Sequence, residues 1–320
     1  MKGNIFAPIL VSIYKMLQNI HKNLITNRFI LPIAILIICT IRLLEASTAD
    51  YISVGICLLL DISTLFLILQ IDRSSTIIRK RTILPALFYL LLIFAIPDFN
   101  NDVSGSLSSF CIVLSLLLLF KTYHKPEYTI NFFNLSFVLS CGSLLWPPLI
   151  LFFPYFLICS FFFRSLTIKS FLASIIGFCT VYLFVGVWFL YKEDTLTTIH
   201  LIPDFPSHIS FLLFNTNPNK YLFLALLIFL SFISACNIIL NERNGKIKTR
   251  AFLGSLFFLI AMIFAFIFIF PNLENQWLQI LIVPVSLVAG HFFSLNTSKK
   301  ASCTFLATFC CCIYFFYLYR

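Results

Sequence analysis

Residues Thr129 to Phe163 read TINFFNLSFVLSCGSLLWPPLILFFPYFLICSFFF, an almost unbroken apolar stretch. As one straight helix at 1.5 Å per residue it would run roughly 50 Å, well beyond the ~30 Å hydrocarbon core of a bilayer. Pro147 and Pro148 follow Gly142-Ser143-Leu144-Leu145-Trp146. Two adjacent prolines remove two helical donors and clash with the preceding turn, so the chain is expected to break there into two short spans. Trp146 is expected at the membrane interface, where indole is favoured.

The same criterion applied outward from this hairpin gives eleven apolar runs, at 28–45, 52–71, 82–97, 104–121, 130–145, 148–163, 170–191, 221–240, 251–271, 277–294 and 302–319. Lys and Arg test the count, because they collect on the cytoplasmic side of a membrane protein. With eleven spans and a cytoplasmic N-terminus, the inner segments hold Lys2, Lys15, Lys22, Arg28, Arg73, Arg79, Lys80, Arg81, Lys121, Lys125, Arg164, Lys169, Arg243, Lys246, Lys248, Arg250, Lys299 and Lys300. Only Arg42, Lys192, Lys220 and Arg320 fall outside. Merging the hairpin into one span would invert every later loop and put the cluster from Arg243 to Arg250 on the wrong side. The expected fold is therefore all-α, a polytopic transmembrane bundle of about eleven spans with its N-terminus in the cytoplasm and its C-terminus outside.

Composition agrees. Of the 320 residues 60% are apolar and 11% charged, and mean hydropathy is +1.00. A soluble domain of this length needs a polar shell that so few charges cannot supply, which excludes soluble enzyme folds. The net charge of +10 lies in short clusters between spans, so it marks orientation rather than nucleic acid. The implied partner is the lipid bilayer of a bacterial inner membrane. Most of the eleven cysteines sit singly in apolar runs as small hydrophobes, and Cys310-Cys311-Cys312 lacks zinc or redox spacing, so no metal and no cofactor is expected.

Two parts lie outside the regular spans. Residues 1–27 carry Ile9, Ile13, Met16, Leu17, Ile20 and Leu24 at helical spacing opposite Lys15, Gln18, Asn19 and Lys22, the pattern of an amphipathic segment on the cytoplasmic leaflet. A signal peptide cleaved after Ala49 is the competing reading, but its charged leader would be too long. The remainder, 28–319, reads as one transmembrane domain with one longer outer loop, 192–219.

Candidate chemistry falls in three places. Asp61 stands alone among the acidic residues in mid-span, where an ionised carboxylate costs several kcal/mol unless paired, protonated or wetted. It is either a coupling group for transport or a structural group bonded to a Ser, a Thr or Arg42. In the outer loop, His200, Asp204 and His208 follow a His-x3-Asp-x3-His spacing, but Pro203 and Pro206 oppose the helix that would align them, and they stand as substrate-binding candidates without a metal. The third set pairs outer carboxylates with outer cations: Glu45, Asp50, Asp98 and Asp102 as candidate bases, and Arg42 and Lys192 for a carrier phosphate. An enzyme moving a sugar from a polyprenyl-phosphate lipid needs one carboxylate to activate the acceptor hydroxyl and cations for the phosphate.

The segments Arg81–Tyr89 (RTILPALFY), Leu119–Tyr123 (LFKTY), Cys141–Pro148 (CGSLLWPP), Phe163-Arg164 and Gly177-Phe178 resemble an uncharacterised family of polytopic membrane proteins of Bacteroidota, a domain of unknown function. That resemblance implies an inner-membrane location and no particular activity. A more distant likeness is to the C-type glycosyltransferases, which also place a small-residue half-helix, a proline break and a second helix ending in a cytoplasmic Arg. It implies sugar transfer from a polyprenyl-phosphate donor in envelope glycan assembly. In that superfamily the first outer loop is long and carries the acidic base, whereas here only Ala46 to Tyr51 separates the first two spans. Three readings follow: a glycosyltransferase-like enzyme, a carrier or flippase using Asp61, and a non-catalytic scaffold with a membrane-protein partner.

Overall fold

A computed structural model describes residues 29–45, 50–75, 82–191, 218–241, 247–296 and 298–319. The amphipathic segment 1–27 lies outside them, as do Lys192, His200, Asp204 and His208 of the long loop. Among the described residues there are eleven α-helices and no strand: α1 (Ile30–Glu45), α2 (Tyr51–Ser75), α3 (Leu84–Phe94), α4 (Val103–Lys121), α5 (Thr129–Leu145), α6 (Phe152–Phe162), α7 (Ile168–Tyr191), α8 (Pro218–Asn241), α9 (Ile247–Ile269), α10 (Glu274–Leu295) and α11 (Lys299–Tyr319). Each expected apolar run corresponds to one helix. Seven helices are long and apolar enough to cross a membrane (α2, α4, α7, α8, α9, α10 and α11), and the other four are shorter apolar helices.

The proline hairpin has a geometric signature. Helix α5 stops at Leu145, Trp146 is extended, and Pro147–Leu151 forms a single 3-10 turn before α6. The chain then returns to where it started, because the His124 backbone N–H, just after α4, donates to the Phe163 carbonyl at 3.3 Å. The two ends of the long apolar stretch therefore lie at one end of the bundle. Arg164, at φ 52°, closes α6 in the left-handed region, with its N–H on the Phe161 carbonyl and that of Ser165 on the Ser160 carbonyl. These two bonds satisfy carbonyls that the helix leaves free. Trp146 lies at the tip of this hairpin and does not face the surrounding lipid. It is buried, with its ring 4.7 Å from that of Trp277, because the break turns it inward between α5 and α10.

Helix α10 is the axis of the bundle. It is almost wholly buried and packs against α3, α4, α8 and α9. Bilayer tails give no hydrophobic drive for helices to associate, so close packing and internal hydrogen bonds must do that work. Gly290 shows how: a Cβ there would stand 2.6 Å from Pro85 Cα and 2.7 Å from its nitrogen, so α10 and α3 meet backbone to backbone. Phe88 of α3 stacks on Phe293 of α10, and both meet Phe305 of α11 edge-on. Helices α1 and α7 lie at the periphery and expose large apolar side chains such as Ile33, Leu36, Leu183 and Phe184, the surface expected against lipid.

The two ends of the bundle differ in charge. Near the start of α10, Lys220 of α8 lies 3.0 Å from Glu274 and 3.8 Å from Asp98, with Asp102 close along the chain. At the opposite end Lys121, Lys125, Arg164, Lys248 and Arg250 follow or precede helices, with Lys248 Nζ 5.5 Å from the centre of the Phe252 ring.

Candidate functional site

Two buried polar regions lie side by side where α1, α2, α3, α4 and α10 meet. The first is built on Asp61, ten residues into α2. Arg42, in the last turn of α1, reaches it with Nη1 to Oδ2 at 2.7 Å. Both residues are closed off from the surroundings, Arg42 at 1% exposure and Asp61 at 3%. The second guanidinium nitrogen, Nη2, donates to the Ile93 carbonyl at 3.4 Å. Helix α3 has only eleven residues, and Ile93 lies in its last turn, where carbonyls lack partners within the helix and carry its negative dipole end. Arg42 thus answers two needs, a carboxylate and a helix terminus.

The other carboxylate oxygen is met by Tyr89 of α3, whose hydroxyl donates to Oδ1 at 3.3 Å. Thr64, one turn after Asp61, lies 2.7 Å from the Tyr89 hydroxyl and 2.7 Å from the Asp61 carbonyl. Thr64 has one proton. When it donates to Tyr89, the tyrosine proton is left for Asp61, and each hydrogen has an acceptor. The carboxylate therefore has a cation on one oxygen and a hydroxyl on the other. Of the partners expected for Asp61, a Ser, a Thr or Arg42, the fold brings Arg42 to the carboxylate, and the hydroxyl on its other oxygen is that of Tyr89, with Thr64 on the Asp61 backbone carbonyl. Arg42, expected at the outer surface for a carrier phosphate, is instead turned inward, because α3 ends low enough to leave a carbonyl and a carboxylate within its reach.

The second region begins at Asp102, the residue before α4. Its Oδ1 accepts from the Gly105 backbone N–H at 3.1 Å and from the Ser104 hydroxyl at 2.6 Å, an N-cap that satisfies donors at the helix start. Oδ2 is buried and has no hydrogen-bond partner. Neither has the side chain of Gln279, which lies in α10 at 0% exposure, nor the hydroxyl of Ser106, also at 0%. Ser106 faces both Asp61 and the Cys57 thiol of α2, which connects the two regions.

The remaining sequence candidates are placed as follows. Asp98 is half exposed, beside Lys220. Asp50 immediately precedes α2, and its carbonyl accepts from Ser53 at 2.8 Å. Glu45 closes α1, and its side chain is outside the described set. The structure thus brings Arg42 to Asp61, and Asp98 to Lys220. Tyr89, Ser106 and Gln279 carry no expected role in the sequence, and Thr64 is anticipated only as a hydroxyl neighbour of Asp61. Gln279 had a signal, an amide inside the apolar run Trp277-Leu278-Gln279-Ile280-Leu281, whereas Tyr89 in Leu87-Phe88-Tyr89-Leu90 looks like any other apolar position. Among the described residues no group of three or more His, Cys, Asp or Glu side chains is placed to hold a metal.

The chain belongs to a family of unknown function, DUF6427, whose model matches residues 13–320. No curated protein and no solved structure matches it.

Proposed function

We propose that this protein is a multi-pass carrier of the bacterial inner membrane in which the Arg42–Asp61 pair is broken and remade during transport. Its basic end faces the cytoplasm and its acidic end faces outward, the arrangement favoured by the distribution of Lys and Arg. The observation that carries this reading is the ion pair itself, 2.7 Å long and closed off inside an apolar bundle. Ionisable groups at such depth are costly, and where membrane proteins keep them they mark pathways for ions and protons. The pair also sits at a joint. Helix α1 packs on α2 and α3, away from the central α10, so the pair ties a peripheral helix to the core. Movement of α1 against α2 and α3 would open it, and an arriving cation or proton at Asp61 would compensate the loss of Arg42.

The test is a concentration jump of Na⁺, K⁺ or H⁺ across proteoliposomes on a solid-supported membrane. Wild-type protein is expected to give a transient current that Asp61→Asn abolishes while its elution in detergent stays unchanged. A current of normal size in Asp61→Asn makes the pair structural. No current from the wild type for any of the three ions favours the scaffold reading, which a stoichiometric partner after gentle solubilisation would support.

A second reading is favoured by a different observation, the Asp98–Lys220–Glu274 cluster at the acidic end. A glycosyltransferase-like enzyme using a polyprenyl-phosphate-linked sugar needs an exposed carboxylate as base and a cation for the phosphate. Asp98 and Lys220 are of the right types, and Lys220 takes the role expected of Arg42. Alanine at Asp98 or Lys220 is expected to leave the envelope glycan defect of a deletion strain uncorrected, and the wild-type protein to retain a polyprenyl-phosphate lipid in native mass spectrometry. Full correction by both variants removes this reading.

A further inference from the structure

The polar atoms left over between α4 and α10 form a set. Gly105 lies one turn into α4, and a Cβ there would collide with the Gln279 carboxamide and stand 3.0 Å from Asp102 Oδ2. The missing side chain therefore lets the Gln279 carboxamide close against α4, with Gln279 Oε1 and Asp102 Oδ2 on either side of the position a Cβ would take. Two acceptors converging with no donor between them repel each other. Asp102, Gly105 and Ser106 share one face of α4, being three and four residues apart, so the Ser106 hydroxyl adds a third oxygen to the same junction. The two serines that follow it in the next turn are already satisfied, since Ser108 and Ser109 donate to the Ser104 and Gly105 carbonyls at 2.6 Å. Ser106 alone of these three has no such bond.

The charges define what fits. The N-terminus of α4 carries a partial charge of about +0.5, and the capping oxygen Oδ1 faces it. A full carboxylate charge exceeds that, so negative charge remains on the buried Oδ2. Lys220 is occupied by Asp98 and Glu274. A residual negative charge of about half a unit among neutral oxygens matches a small monovalent cation, which takes hard oxygen ligands. A divalent ion would leave a net positive charge buried. We infer that Asp102 Oδ2, Gln279 Oε1 and Ser106 Oγ form a Na⁺ site between α4 and α10. Through Ser106 it adjoins Asp61, so in the carrier reading it is the place of the coupling ion; its occupancy does not depend on that reading.

The experiment is thermal unfolding of the full-length protein in mild detergent, followed by tryptophan fluorescence, in NaCl, KCl and choline chloride at matched ionic strength and at two pH values. A ligand that binds only the folded state raises Tm in a saturable way. The expected result is a saturable rise in Na⁺ over choline of several degrees, lost in Asp102→Asn and in Gln279→Leu and reduced in Ser106→Ala. Asn still caps a helix, so Asp102→Asn removes the charge and keeps the N-cap. Gln279→Leu leaves the cap untouched and decides the matter if Asp102→Asn proves unstable. Equal Tm in all three salts overturns the site. A Tm that follows pH and not Na⁺ also overturns it, and assigns a proton to Asp102 instead. A Na⁺ effect that survives both substitutions places the ion elsewhere and overturns this assignment.

Discussion

The Asp61 region and the Asp102 region are a few residues apart across one helix interface, yet they close their polar accounts differently. Around Asp61 the oxygens of the carboxylate meet Arg42 and Tyr89, Thr64 completes the relay, and a helix terminus takes the remaining guanidinium arm. Around Asp102 one oxygen caps α4 and the other is left facing an amide and a hydroxyl that also have no partner. In the first arrangement both carboxylate oxygens have a partner, and only Arg42 Nε is left without one. The second is incomplete as a protein-only structure, which is what a binding site looks like before its ligand is counted.

Breaking the ion-paired region should have the largest effect. Arg42→Ala leaves a buried carboxylate without its cation and is expected to cost about 3–5 kcal/mol, read as loss of folded protein in denaturant titration of the purified membrane protein. The double variant Arg42→Met with Asp61→Leu removes both charges and is expected to recover most of that stability. If it does so and still gives no ion current, stability and transport are separated. If the double variant is as unstable as Arg42→Ala, the pair is a structural requirement and the contrast between the two regions weakens.

Filling the incomplete region tests the contrast from the other side. Gly105→Ala puts a methyl group against the Gln279 carboxamide, and overpacking of this kind costs about 1–3 kcal/mol. It should also abolish the Na⁺-dependent part of Tm, since the displaced amide no longer faces Asp102. A Gly105→Ala protein with undiminished Na⁺ stabilisation would show that the Gln279 carboxamide beside Gly105 does not hold the ion.

The smallest effect is expected at the acidic end. Lys220→Met separates a half-exposed Asp98 and a less exposed Glu274 from their shared cation, and partly solvated pairs of this kind are worth about 1 kcal/mol or less. The loss should shrink further in high salt, which screens exposed charge, whereas the Arg42→Ala penalty should not. A salt-insensitive loss at Lys220 would mean that this cluster is more enclosed than its exposure suggests.

Several features were readable from the chain alone, each for a local reason. The hairpin at Pro147-Pro148 follows from two missing donors, and the return of Phe163 to His124 bears it out. Asp61 announced itself as a charge inside an apolar run, and Arg42 was among the partners its isolation required. That Trp146 packs into an aromatic cluster was not readable, because the cluster depends on where α10 brings Trp277. Gln279 was visible as an amide in a span but had no assigned role, since its meaning depends on Gly105, 174 positions earlier.

The sequence by itself determined that this is a helical protein of eleven apolar segments, because the length and polarity of a segment are set by bilayer thickness and the cost of an unpaired backbone group. Both act on consecutive residues. Only the tertiary structure decided which polar groups are satisfied. Arg42 meets Asp61 and the Ile93 carbonyl because α1, α2 and α3 converge. Asp102 and Gln279 face one another because α4 and α10 pack over a glycine. Such meetings depend on helix ends and crossing distances, to which hydropathy along the chain is blind.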